Sequence, residues 1–205
     1  MTYAGSRPRA GSPRRKEKDM QLTHRGTVPL ETPRLLLRPM RLTDAADMFH
    51  NWTGDPEVAR YVSWEVHQSE ADSRVYLEGT ISGYAQPNHY DWGIIFEGTL
   101  VGSIGVPRMA EADLSCEAGY CLGRRWWGRG IATEALRALI DFLFGQVGFH
   151  RVAAVHDPNN PASGRVMQKA GMTREGMLRQ SALIKGRFVD SVVYSILRDE
   201  WEAMQ

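Results

Sequence analysis

The sequence predicts a mixed α/β (α+β) domain whose sheet is mostly antiparallel and flanked by helices. Three features carry that expectation. Apolar runs separated by turn residues recur three times between Asn88 and Leu122, as sequential antiparallel strands do. A strongly amphipathic segment then opens behind a pair of glycines, Gly128 and Gly130. Beyond it the β-rich run His150–His156 completes a strand–helix–strand crossover.

Taken in order, "RLLLRPM" (Arg34–Met40) is a short apolar run ended by Pro39 and reads as a first strand. Thr43 and Asp44 offer side-chain oxygens to cap the helix that "AADMFHNW" begins. Two short helices are expected over Glu57–Val62 and Gln68–Leu77. Strands follow at Asn88–Phe96, Leu100–Val106 and Leu114–Leu122, the first two joined by a turn at Glu97-Gly98-Thr99. In the next helix Ile131, Ala135, Leu136, Leu139, Ile140, Leu143 and Phe144 recur at the spacing of a single face. It should run about 14 residues, roughly 21 Å, with Gly145 placed to end it. After His150–His156, "NPASGRVMQKAG" carries a helix signature: Asn160 as cap, Pro161 in the first turn and Gly171 to close. Gly176–Ile184 and Phe188–Leu197 read as a hairpin around Lys185-Gly186-Arg187.

With 205 residues, 42% of them hydrophobic, the chain can bury one core of ordinary domain size. A formal net charge of +1 argues against a dedicated nucleic-acid binder. That charge is uneven. Residues 1–20 hold six Lys/Arg and two acids, a balance of +4 that leaves −3 for the remainder. Residues 1–25 are therefore expected to form a disordered basic tail ahead of a domain over 26–205. The tail lacks the apolar stretch of a signal peptide, Met20 is a candidate natural start, and no function is assigned to it. No run approaches the roughly 18 apolar residues of a membrane span. Cys116 and Cys121 are five apart in a strand, so they face opposite ways and should not pair; this fits a reducing cytoplasm. The six histidines show no His-x-x-His, HExxH or Cys-x-x-Cys pattern, so no metal site is expected.

The glycine pair invites an anion. The first turn of a helix leaves backbone N–H groups unpaired with a partial positive charge, and glycines let a ligand approach them closely. Three phosphate motifs compete. A Walker loop needs Gly-Lys-Ser/Thr, but Ile131 follows Gly130. The dinucleotide fingerprint needs Gly or Ala where Thr133 stands, and an acid about 20 residues on where "GFHRV" is found. The R/Q-x-x-G-x-G/A loop that cradles the pyrophosphate of coenzyme A is met at each fixed position by Arg125-Trp126-Trp127-Gly128-Arg129-Gly130. A simple tight turn before a core helix is the plainer alternative, disfavoured by the "IATEAL" that follows.

With these motifs in this order, the chain resembles the GNAT superfamily of acetyl-CoA-dependent N-acetyltransferases. Its nearer likeness is to the Rim-type (RimJ/RimL-like) branch, which acetylates protein N-termini and includes many small-amine relatives. The likeness spans about Glu31 to Trp201. "ETPRLLLRPMRLTDAADMF" is similar to that branch's opening, "EAGYCLGRRWWGRGIATEAL" to its cofactor loop, "HDPNNPASGRVMQKAGM" to its second cofactor segment and "KGRFVDSVVYSILRDEW" to its closing hairpin. The resemblance implies splayed central strands, one ending near Leu122 and the next spanning His150–His156, with the pantetheine arm between them as a pseudo-strand. Cofactor contacts then fall on Leu122, Arg125, Trp127, Gly128, Arg129, Gly130, Ile131 and Ala132, with Asn160 and Ser163 from the second segment. Asn160 has two credible jobs, an N-cap worth about 1 kcal/mol and a hydrogen bond to pantetheine.

The reaction needs a neutral amine, a stabilised oxyanion and a departing thiol. A thiol of pKa about 8.5 leaves with modest help, and an α-amine near 8 is partly neutral at pH 7, whereas a lysine amine near 10.4 demands a stronger base. Many superfamily members place a proton-donating tyrosine seven residues after the cap asparagine. Here Met167 stands there, so Ser163 of the Rim-type N-x-x-S pattern is the candidate donor; the alternative is a hydroxyl that only bonds the first helical turn. Glu117, in the branch's E-x-G-Y strand (Glu117-Ala118-Gly119-Tyr120), is the candidate base through a water; the alternative is a merely solvated strand carboxylate. The backbone near Leu122 would supply the oxyanion donor. Tyr61, Trp64, Tyr90 and Asp91 are candidate acceptor walls, though core or surface is the plainer reading of each.

The leading expectation is an enzyme moving acetyl from acetyl-CoA to a primary amine, with a protein N-terminus as one acceptor and a small amine (aminoglycoside or polyamine) as the other. Met167 keeps a third reading open, a non-catalytic acyl-CoA-binding module; an RNA-associated role for the basic tail is a distant fourth. The expected cosubstrate is acetyl-CoA without a metal, the expected partner an amine acceptor, and a homodimer is allowed.

Overall fold

The computed structural model describes residues 21–205. One eight-stranded sheet runs through it in the order β1-β2-β3-β4-β5-β6-β8-β7. The strands are β1 (Leu30–Glu31), β2 (Leu35–Arg38), β3 (Asp91–Phe96), β4 (Thr99–Ala110), β5 (Ser115–Leu122), β6 (Arg151–His156), β7 (Thr173–Ile184) and β8 (Arg187–Leu197). Neighbours are antiparallel except β5 and β6, as the α/β reading requires.

The β5–β6 ladder holds only from Ser115–Arg151 to Glu117–Ala153. Beyond Glu117 the two strands part. β5 continues along β4 to Leu122, while β6 continues along β8 to His156. The outcome is a wedge at the carboxyl ends of the one parallel pair, the location at which open α/β sheets receive ligands.

Six helices cover the sheet: α1 (Ala45–Met48), α2 (Pro56–Ala59), α3 (Glu70–Gly83), α4 (Ile131–Phe142), α5 (Pro161–Lys169) and α6 (Arg198–Glu202). Strand alternation sorts the core into two layers. Ile94 and Phe96 of β3 join α4 and α5 in the larger cluster, with Leu136, Leu139 and Met167. Ile95 packs instead with Met48, Trp52, Val58 and Leu77 from the helices after β2. The cysteines obey the same parity. Cys116 belongs to the first cluster and Cys121 packs on the second, and both are free thiols.

Several boundaries differ from the sequence reading, each for a local reason. The α4 segment does not stop at Gly145. It widens into a π-type turn over Leu143–Val147 and ends at Gly148, whose φ of 105° lies in the left-handed region; Gly145 is a packing position beside the Trp201 ring. Helix α3 runs past Leu77 to Gly83 and is fastened at its start by Asp72, which accepts the Gln68 and Ser69 amides at 2.8 and 3.0 Å. Helix α2 begins at Pro56, where Asp55 accepts the Glu57 amide. Asp44 does not cap α1; it takes Arg38 in a two-point ion pair at 2.8 Å and accepts the Arg41 amide. Of the expected tail, residues 1–20 lie outside the described residues. Its last part belongs to the fold: Thr23 N–H bonds the Val147 carbonyl, Leu22 packs on the core and His24 meets the Tyr90 hydroxyl at 2.8 Å.

Candidate active site

The wedge opens into a cleft of about 400 Å³, walled by β5, the glycine loop, the start of α4, α5 and the α2 region. Its floor is set by strand pairing. Gly123 N–H bonds the Val101 carbonyl, so the adjacent Gly102–Leu122 pair is of the non-hydrogen-bonded kind. In an antiparallel ladder the groups of such a pair turn to the other edge. The N–H and C=O of Leu122 thus face the wedge, where the Trp127 indole donates to that carbonyl at 2.7 Å.

The loop itself is shaped by two left-handed residues, Gly128 (φ 74°) and Gly130 (φ 78°). A Cβ built on Gly128 would meet nothing within 4 Å, so the glycine serves backbone conformation and open space rather than packing. The first helical hydrogen bond is Glu134 N–H to the Gly130 carbonyl. From Gly128 to Thr133 the amides find no backbone acceptor among the described residues. Unpaired amides at the mouth of a 12-residue helix form a preorganised anion cradle.

Eight of the expected catalytic and cofactor-binding residues line this cleft: Leu122, Trp127, Gly128, Gly130, Ile131, Ala132, Asn160 and Ser163. Three do not. Arg125 lies over the Trp126 ring at 5.3 Å and Arg129 over the Phe96 ring at 4.7 Å, because each guanidinium finds an aromatic face beside it. Glu117 pairs with Arg108 at 3.1 Å and sits where β5 is still bonded to β6, below the point of parting. Positive charge at the cleft comes instead from Arg60, Arg165 and Lys169, which no loop motif marked.

Asn160 caps α5, its Oδ1 accepting the Ser163 amide at 3.4 Å. Gly164 presses the helix onto β6 so closely that a Cβ would lie 2.6 Å from His156 Nε2. This brings Ser163 Oγ to 2.9 Å from the Tyr120 hydroxyl, which also donates to the Ser163 carbonyl at 2.9 Å. Burial pushes the Tyr120 phenol well above its ordinary range, and the Ser163 hydrogen bond only partly offsets it. Sequence reasoning missed Tyr120, although it closes the E-x-G-Y motif. Met167 is buried in the core at 2% exposure and faces no cleft.

Among the four candidate wall residues only Tyr61 lines the cleft. Trp64 packs on the second core cluster. Tyr90 is core, stacked on Trp92 with ring centroids 5.9 Å apart. The Asp91 carboxylate accepts the Tyr76 hydroxyl at 3.3 Å, and burial pushes its carboxyl up to about 7. At the hairpin tip Lys185 Nζ donates to the Ala59 carbonyl at 2.7 Å, tying the β7–β8 turn to α2 beside the cleft. Among the described residues no cluster of His, Cys, Asp or Glu could hold a metal, and no helix is long and apolar enough to cross a membrane.

A wedge between two parallel strands, opening onto unpaired amides at a helix start, is an arrangement suited to an anionic ligand. Residues 34–173 match the family model described as the acetyltransferase (GNAT) domain, and the chain belongs to that family. It is 32% identical to the uncharacterized N-acetyltransferase p20 of Bacillus licheniformis, over 84% of this chain and 97% of that one. Over a shorter stretch, 42% of this chain and 45% of the relative, it is 32% identical to the [ribosomal protein uS5]-alanine N-acetyltransferase of Escherichia coli. The GNAT-family acetyltransferase structure from Bacillus anthracis superposes with a TM-score of 0.74 at 27% identity, covering 84% of this chain and 99% of that one. The protein is an acetyl-CoA-dependent N-acetyltransferase.

Proposed function

We propose that this enzyme acetylates a free α-amine at a protein N-terminus. The observation that carries the reading is the acid–base character of the cleft. Its one carboxylate among the described lining residues is Glu57, exposed and paired with Arg60 at 3.7 Å. A site without a buried base suits an amine that is already partly neutral. At pH 7 about a tenth of an α-amine is neutral, against fewer than about one lysine amine in a thousand. The similarity to an enzyme named for a ribosomal-protein alanine supports the same class of acceptor.

In this reading the amides of Gly128 to Ala132 hold the diphosphate, and Leu122 N–H faces the thioester oxygen. The neutral amine attacks the carbonyl carbon, a C–N bond forms, and the C–S bond breaks. As the C–S bond breaks, Ser163 Oγ–H turns from the Tyr120 hydroxyl oxygen to the departing sulfur, while Tyr120 keeps its own proton on the Ser163 carbonyl and holds the serine in place. A phenol raised by burial is too weak an acid to protonate a thiolate of pKa about 8.5 outright. The pair therefore stabilises the thiolate by hydrogen bonding, while the proton released by the amine passes to water and the sulfur takes one back from water. The test is acetyl transfer to peptides beginning with Ala, Ser or Met, to a lysine peptide with a blocked N-terminus and to polyamines, with the acetyl located by fragmentation. Acetyl on the free N-termini is expected. Acetyl confined to lysine side chains or small amines would overturn the reading.

A further inference from the structure

The glycine loop is a wall between two cavities. On one side is the cleft; on the other a broader groove of about 970 Å³ is lined by Arg34, Glu134, Arg137 and Asp141, with Gly130, Thr133 and Lys169 common to both. Glu134 sits on the groove side in the first turn of α4. A carboxylate there is favourable to an isolated helix, but it competes with any bound anion for the same partial charge. Its two oxygens are fully engaged. Thr32 Oγ1 donates at 2.6 Å, the Arg34 amide at 3.1 Å, and the Arg34 guanidinium through Nε at 2.7 Å with Nη2 also at 2.6 Å. Burial pushes the Glu134 carboxyl up, yet the bonds from Thr32 and Arg34 outweigh it and hold it below the usual carboxylate range. The same guanidinium donates through Nη1 to the Arg129 carbonyl at 3.2 Å, the peptide that leads into left-handed Gly130. A Cβ on Gly130 would stand 3.4 Å from Arg34 Nη2.

We propose that Arg34 is a positioning residue for the diphosphate: it pins the Arg129–Gly130 peptide from behind and turns the Glu134 charge away from the amide cradle. This rests on the cradle reading given above. One residue from β1–β2 thereby performs two tasks. It fixes the carbonyl whose rotation would swing the Gly130 amide out of the cleft, and it neutralises the one acid in the first turn of α4.

The test compares acetyl-CoA with acetyl-pantetheine, a thioester that lacks the diphosphate. In the full chain Arg34→Ala should raise KM for acetyl-CoA about tenfold, roughly 1.4 kcal/mol, with kcat nearly unchanged and KM for acetyl-pantetheine unmoved. Adding Glu134→Gln to Arg34→Ala should recover most of the loss, since the uncompensated charge is gone. Arg34→Lys, which keeps the charge but cannot bridge both partners, should fall between and serves if the alanine variant does not fold. Equal loss with both thioesters, or none with either, would overturn the proposal. Gly128→Val separates the two levels: unchanged acetyl-CoA affinity in that variant refutes the cradle reading itself, whatever Arg34 does.

Discussion

Replacing Gly128 by valine perturbs two things that the structure lets us keep apart. The backbone there has φ 74°, a left-handed conformation that costs an ordinary L-residue about 1–2 kcal/mol and a β-branched one more. No atom lies within 4 Å of the added Cβ, so that atom itself adds no clash to the cost. For a chain of this size each 1 kcal/mol lowers the melting temperature by roughly 2–4 °C, so the valine variant should melt at least several degrees lower and remain folded. Binding suffers more, because the open space is where the diphosphate meets the amides. Losing two charge-assisted hydrogen bonds at about 1.5–3 kcal/mol each predicts a weakening of at least about a hundredfold. Calorimetric titration with acetyl-CoA, beside a melting curve of the same sample, measures both. Gly128→Ala, smaller and unbranched, should give a milder version of each effect. A folded valine variant that binds acetyl-CoA as tightly as the parent would refute the reasoning.

Three further outcomes are expected. Tyr120→Phe removes the hydroxyl 2.9 Å from Ser163 Oγ and should lower kcat several-fold with KM for acetyl-CoA little changed; an unchanged kcat would show that Ser163 needs no orientation. Glu117→Gln breaks the Arg108 pair outside the cleft, an exposed contact worth under about 1 kcal/mol, and should leave kcat within a few-fold; a loss of orders of magnitude would restore Glu117 as a base acting through water. Asp91, with its carboxyl raised to about 7, binds its proton more tightly folded than unfolded. Stability from this group is present below the unfolded value near 4 and is lost as pH rises to 7. Denaturant titrations across that range should show Asp91→Asn free of that fall and gaining up to a few kcal/mol over the parent at neutral pH; parallel curves would contradict it.

What the sequence made legible follows from how local each signal is. The Arg125–Gly130 motif and the face of α4 are written in consecutive residues, and Asn160 declares itself as a cap by its place before Pro161. Where partners come from distant chain, sequence reading failed. Nothing near Arg129 says that its side chain will rest on Phe96, and nothing near Gly145 says that Trp201 packs against it, leaving Gly148 to end the helix. Glu117 shares a motif with Tyr120, yet only the register of β5 against β6 reveals that the ladder still holds at Glu117 and has opened by Tyr120. The role of Thr32 and Arg34 behind the loop depends on contacts about a hundred residues away in sequence, which no spacing rule reaches.

Hydrogen exchange of the full chain with and without acetyl-CoA, no amine acceptor being present, tests the central claim most directly, because it locates the cosubstrate amide by amide. The account predicts new protection at Gly128 to Thr133 and at Leu122, with the outer groove around Asp141 and Gln146 unchanged. Protection confined to that groove, or none at the glycine loop under saturating ligand, would contradict it.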